Sequence, residues 1–296
     1  MSKSDRFSSS AIPKPAQNGM LARIRHLRED FPPIARRIAD VIEANAEEVI
    51  RMSITELAEQ TGASEGSVVG LCRRVGAGGF QDLKILLAGD LVEPVRFIQE
   101  DLQETDDYTR VGERIFSAHA ASLAETRKLL SLEALERAVA ILRNARRIEV
   151  YGIGSSAPIA QDLAYRLLQL GLDAKAVVDS HVQAVSAAMT SVDVAAVTVS
   201  HSGSTVETVL ATRLAKEAGA MTVGITRLGK SPLARHCDVV LHTVANETRY
   251  RPEAMSSRVA QLAIIDTLVS CCALERPDHS AEKLQLSARV LSEKRY

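Results

Sequence analysis

From about residue 147 onward, short apolar runs alternate with amphipathic helical stretches, and no other feature limits the possible folds of this chain so strongly. The runs fall at 147–153, 174–178, 194–199, 221–225 and 239–244. A short helix follows the fourth, and a long one begins at about Ala254. A chain that passes repeatedly from strand to helix to strand builds βαβ units with right-handed crossovers, and so a largely parallel sheet. Composition fits this reading: aromatic residues make up 3% of the chain and Trp is absent. Cores of Ala, Leu, Val and Ile suit helices and parallel strands better than an all-β sandwich. With 296 residues there is room for a second domain.

That second domain lies ahead of the alternating region. Residues 1–19, rich in Ser, Pro and Lys, read as a disordered tail without the apolar core of a signal peptide. From 20 to 96 the pattern is helical throughout. Ile34, Ile38, Val41 and Ile42 share one face of a helix that starts at Pro32-Pro33. Ser53 and Glu56 have the spacing of a capping box, followed by inward Ile54, Leu57 and Ala58 and a turn at Thr61-Gly62-Ala63. Ser64 is an N-cap for the next helix, with Val68, Leu71, Cys72 and Val75 inward and Gly76 just past its end. A further helix is expected from Phe80 to about Leu91. The expected divisions are thus a tail at 1–19, a helical domain at 20–96, a linker at 97–110, an α/β domain at 111–276 and a C-terminal extension at 277–296.

Two short helices joined by a Gly-containing turn form either a helix-turn-helix or an ordinary helical hairpin. In the first case the outward face of the second helix enters the major groove. Ser64, Ser67 and Arg73 then approach base edges, Arg74 and Lys84 approach phosphates, and Val69 meets a thymine methyl. Charge argues the other way: residues 20–96 carry ten Lys plus Arg against twelve Asp plus Glu, a net of −2. An acidic helical module binding a protein partner is the alternative. The stretch from Ser53 to Phe80, including Ala63-Ser64-Glu65-Gly66-Ser67-Val68-Val69 and Cys72-Arg73-Arg74-Val75-Gly76, resembles the N-terminal domain of RpiR-type regulators. The resemblance implies operator DNA as a partner. Gly70 departs from it, standing where the family often has a basic residue.

In the α/β region, Gly152-Ile153-Gly154-Ser155-Ser156 follows the first strand and Pro158 opens a helix, an arrangement that cradles anions on free backbone N–H groups. A dinucleotide fingerprint is incomplete, because Ala157 fills its third glycine position and only Asp179 offers an acid after the second strand. After the third strand comes Ser200-His201-Ser202-Gly203-Ser204-Thr205, whose hydroxyls serve either phosphate or a helix N-cap. With a flavodoxin-like order 2-1-3-4-5, both loops lie at the switch point where ligands bind. Together they resemble the SIS (sugar isomerase) domain over residues 120–275. That resemblance implies phosphate contacts from Ser155, Ser200, Ser202 and Thr205, on turns made by Gly154 and Gly203, with Ser156 and Ser204 nearby. It also makes Glu253 and Ser257 weaker candidates, since 254–261 resembles the segment that closes over the sugar.

The expected whole is an all-α helix-turn-helix domain followed by an α/β SIS domain with a flavodoxin-like parallel sheet. Its expected role is a transcriptional regulator of sugar metabolism controlled by a phosphorylated sugar, acting as a homodimer or homotetramer. The alternative is an aldose–ketose isomerase. His181, His201, Glu207 and Glu253 are titratable residues near the loops, but none falls in a catalytic motif. No cofactor or metal is expected, because Cys72, Cys237, Cys271 and Cys272 lack metal-ligand spacing. With no signal peptide and no uninterrupted apolar run long enough to span a bilayer, the expected location is the cytoplasm.

Overall fold

The computed structural model describes residues 19–90, 107–245 and 256–294. All of the expected tail except Gly19, and most of the expected linker, lie outside them. In the N-terminal domain, α1 (Met20–Leu27), α2 (Pro33–Ala44), α3 (Ala46–Val49), α4 (Ile54–Thr61), α5 (Glu65–Arg74) and α6 (Phe80–Asp90) enclose one apolar core. Pro33 occupies the first turn of α2 as expected, but its buried face is Ala35, Ile38, Ala39 and Ile42. Ile34 points to solvent and Val41 is only partly buried, because the small Ala35 and Ala39 let neighbouring helices approach on the other side of Ile38.

The α/β domain begins with α7 (Tyr108–Leu129), three residues earlier than expected, and continues with α8 (Leu132–Asn144). Strands β1 (Arg147–Tyr151), β2 (Ala174–Val177), β3 (Val194–Val199), β4 (Met221–Arg227) and β5 (Val239–Thr243) form one parallel sheet of order β2-β1-β3-β4-β5. The flavodoxin-like order is therefore confirmed. Intervening helices are α9 (Ala157–Gln169), α10 (Ser180–Ala188) and α11 (Val206–Glu217), and α12 (Ser256–Leu274) with α13 (Pro277–Ser292) follows the sheet. The short helix after β4 is a single 3-10 turn at Leu233–His236.

The sheet buries both faces, as parallel strands between helices must. Ile148, Val150, Val197 and Ile225 pack against α8, α9 and α12, while Tyr151, Ala196, Ala211 and Ala215 form a thinner core under α10 and α11. Helix α12 is long and apolar enough to cross a membrane, but Ile264, Ile265 and Leu268 are buried in the sheet core, as in the central helix of an α/β domain. One carboxylate is buried in the sheet. Glu149 on β1 accepts hydrogen bonds from Tyr151 and Ser186 and pairs with Lys175 and Arg147. Burial works to raise its pKa, yet these partners hold it below the ordinary carboxylate value.

Candidate functional site

The β1–β3 register pairs Tyr151 with Thr198, so the loops leaving these neighbouring strands emerge at the same level of the sheet. In the first, Gly152 admits no side chain: a Cβ would lie 2.7 Å from the Ser156 carbonyl oxygen. Gly154 takes a left-handed φ of +58° and starts a 3-10 turn that leads into α9, leaving Gly154 and Ser155 exposed and Ser156 half-buried. Gln183 on α10 fixes this turn from below, donating to the carbonyls of Gly152 and Val177. Sequence reading missed Gln183, since a lone buried Gln in an apolar helix has no motif. Asp179 instead caps α10 through the amides of His181 and Val182, which engages the one acid a dinucleotide reading had available.

In the second loop Ser200 is buried and extends the β3–β4 pairing through its N–H to the Ile225 carbonyl, 3.1 Å away. Gly203 turns the chain at φ +61°, and its N–H returns to the Ser200 carbonyl. The Ser204 N–H donates to Ser202 Oγ. These hydroxyls do not serve as caps of the helices that follow them. Ser53, Ser64, Asp107, Ser131 and Asp179 each cap a helix with their side chain. Ser156 before α9 and Thr205 before α11 do not. Helix α11 thus starts with its first amides and the Thr205 hydroxyl free of each other. At α9, by contrast, the Ser156 and Ala157 N–H groups return to the Ile153 and Gly154 carbonyls, Pro158 has none, and only the Ser156 hydroxyl is left without a cap role. An end like that of α11 attracts an anion through its unpaired N–H groups and the helix dipole. Ser257 is buried in the first turn of α12, and Glu253 lies outside the described residues. A groove of about 310 Å³ between α8 and α12 is lined mainly by apolar side chains and holds none of the loop residues.

The helix-turn-helix geometry follows its sequence signals closely. The capping box is complete: Ser53 Oγ accepts from the Glu56 N–H, and Glu56 accepts from the Ser53 N–H. Gly62 ends α4 at a left-handed φ of +59°. Ser64 caps α5 through the Ser67 N–H, and its hydroxyl also bonds that of Ser67. Arg73 and Arg74 are exposed, Val69 is half-buried against the core, and the space beside Gly70 is open.

Lys84 corrects the expectation of a DNA phosphate contact. It is buried, donates to the Met52 carbonyl and lies over the Phe80 ring. Burial chiefly, with the nearby Arg227 cation, lowers its pKa to about 8. Seen as sequence, a lysine on an amphipathic helix reads as solvent-facing. The surface that buries it includes Arg227, at the end of a strand 143 positions away.

Models of two known domains match the chain: the helix-turn-helix domain of the rpiR family at residues 18–94 and the SIS domain at residues 141–271. A Caldanaerobacter subterraneus protein described as an uncharacterized HTH-type transcriptional regulator is 34% identical over 92% of this chain and 97% of its own length. The solved structure of Vibrio vulnificus NanR complexed with ManNAc-6P is 32% identical, covers 93% of this chain and 99% of that one, and superposes with a TM-score of 0.78. The sugar isomerase domain of an RpiR transcription factor from Sphaerobacter thermophilus matches at 25% identity with a TM-score of 0.55, over 61% of this chain and 99% of its own.

Proposed function

The chain belongs to the rpiR family of helix-turn-helix transcriptional regulators with a SIS domain, and we propose that a phosphorylated sugar in the paired loops sets its hold on operator DNA. The observation that carries this reading is the open N-terminus of α11 behind Thr205, set beside the Gly154 turn and uncapped Ser156 hydroxyl of the neighbouring loop, above adjacent strands. Ser155, Ser156, Ser200, Ser202, Ser204 and Thr205 supply hydroxyls around them, on the turns of Gly154 and Gly203. Hydroxyls and backbone amides hold a phosphate without a dedicated cation, so release of the ligand leaves no uncompensated buried charge. A sensor that must release its ligand benefits from that economy. The NanR complex with ManNAc-6P makes an N-acylated hexosamine phosphate the first candidate effector.

On the DNA side, the outward face of α5 presents Ser64, Ser67, Val69, Arg73 and Arg74 to the groove, in a cytoplasmic homo-oligomer with two such helices spaced for half-sites one turn or a multiple apart. Effector binding shifts the operator equilibrium through differential affinity for the oligomer's arrangements. The test is a thermal-unfolding screen against phosphorylated sugars, starting with ManNAc-6P, on the wild type and Ser202→Ala. A binder raises the apparent stability of the wild type. Loss of that rise in Ser202→Ala, with effector-free operator binding unchanged, is the expected result. No rise with any sugar phosphate would overturn the reading.

A further inference from the structure

The helix-turn-helix domain is docked on the α/β domain through a seam of opposite charges. Each ion pair has its acid on the former and its base on the latter. Arg227 Nη2 lies 2.8 Å from Glu56, Lys230 Nζ 2.8 Å from Glu59 and Arg235 Nη2 3.1 Å from Glu65. Ser53 Oγ donates to the Lys230 carbonyl at 2.6 Å, and the bend at Gly229 brings its Cα hydrogens against the Glu56 carboxylate. The capping box of α4 is therefore used twice. Ser53 and Glu56 cap their own helix and also grip the segment after β4.

The same segment holds the phosphate loop from behind. The His201 carbonyl accepts from the Arg227 N–H at 3.1 Å and from Thr226 Oγ1 at 3.2 Å, and the Gly203 carbonyl accepts from the Leu233 N–H at 3.0 Å. Gly203 packs so closely on Ser231 that a Cβ there would lie 2.5 Å from the Ser231 hydroxyl oxygen. A shift of the 200–205 loop thus displaces 226–233, whose other side is bonded to α4. Glu65 carries the connection onward. It accepts from Thr55 on α4 and pairs with Arg235, so the first turn of α5 is tied to both.

The geometry points to a latch, the Ser53–Glu56 capping box clasped on 227–231, that transmits occupancy of the phosphate loop to the DNA-reading helices. This inference rests on the phosphate reading of that loop. It also accounts for the acidic N-terminal domain: Glu56, Glu59 and Glu65 serve the seam, and the three facing cations move the balance of residues 20–96 from −2 to +1.

The test is hydrogen exchange on the full chain with inorganic phosphate as the probe, against chloride of equal ionic strength, because exposed ion pairs are screened by salt. In the wild type, phosphate should slow exchange at 200–206 and change it at 54–61. Glu56→Gln keeps the capping box, which Gln also forms, but loses the charge that Arg227 meets. In this variant, exchange at 54–61 should be about two- to five-fold faster, the range for a half-exposed ion pair. It should no longer respond to phosphate, while protection at 200–206 persists. Arg227→Gln, which leaves α4 untouched, should behave alike. Phosphate protection at 200–206 without a wild-type response at 54–61, or with a response that survives both substitutions, overturns the latch and leaves the phosphate loop standing. Absence of protection at both segments overturns the phosphate reading, and the latch with it.

Discussion

Two glycines that look alike in sequence have unequal roles. Gly154 and Gly203 both turn a loop in the left-handed region, where any Cβ is strained. Around Gly154 nothing lies within 4 Å of an added Cβ, whereas at Gly203 that carbon collides with Ser231 and Thr226. Gly154→Ala should therefore cost only the conformational term, about 1–2 kcal/mol of unfolding free energy. Gly203→Ala should cost more, with overpacking adding about 1–3 kcal/mol. Denaturant unfolding of the two variants checks the order, and equal losses would show that the Ser231 contact yields freely. The need for a glycine at 203 was legible from its place in a hydroxyl-rich turn. Its neighbour Ser231 was not, because the contact joins loops of two different strands.

Elements were legible in proportion to how local their signals are. Capping boxes, glycine stops and apolar stripes act within one helix, and they marked α4 and α5 to within a residue. The strand ends at 177 and 243 were also close, since β-propensity and burial fade together there. The extension after 277 becomes α13, whose one buried residue is Ser280, and so weak an apolar stripe gives little periodicity to read. The seam was illegible, because Arg227, Lys230 and Arg235 gain meaning only from acids more than 160 positions away. Helix-level tests follow from the caps. Ser64→Ala should lose about 1 kcal/mol, the usual worth of an N-cap. Ser53→Ala should lose about 1 kcal/mol more, because its hydroxyl also donates across the seam to Lys230. On α5, the open space beside Gly70 accepts a long side chain. Gly70→Arg should stabilise the helix by about 0.5–1 kcal/mol. It should also strengthen operator binding and steepen the salt dependence by about one phosphate contact, read from a salt titration.

At the scale of the whole molecule, the junction of the two domains should make folding sensitive to mild acid. His201 projects from the phosphate loop into the region where Lys84 of α6 and Arg227 of β4 approach, with Glu56 of α4 paired to that arginine. Its Nδ1 is buried and makes no hydrogen bond among the described residues. Burial first, then the Arg227 and Lys84 charges, lowers its pKa to about 4. The neutral imidazole is therefore the form the folded protein favours, while an unfolded histidine titrates near 6.5. Between those values the unfolded chain binds more protons, so stability rises with pH through this window. The contribution is complete above about pH 6.5 and is lost as pH falls towards about 4, amounting to about 2 kcal/mol between pH 7 and pH 5. Lys84 adds no slope there, since it is protonated in both states below its folded pKa of about 8. Glu56, whose pKa is held down by Ser53 and Arg227 against its burial, loses its contribution only at lower pH, as its carboxylate protonates. His201→Gln keeps a neutral polar group of similar reach and removes the titration. As pH falls from 7 to 5 the wild type should therefore lose about 2 kcal/mol more unfolding free energy than this variant. Parallel pH profiles would mean that His201 takes up its proton at the junction without cost, its folded pKa lying near the unfolded value of about 6.5.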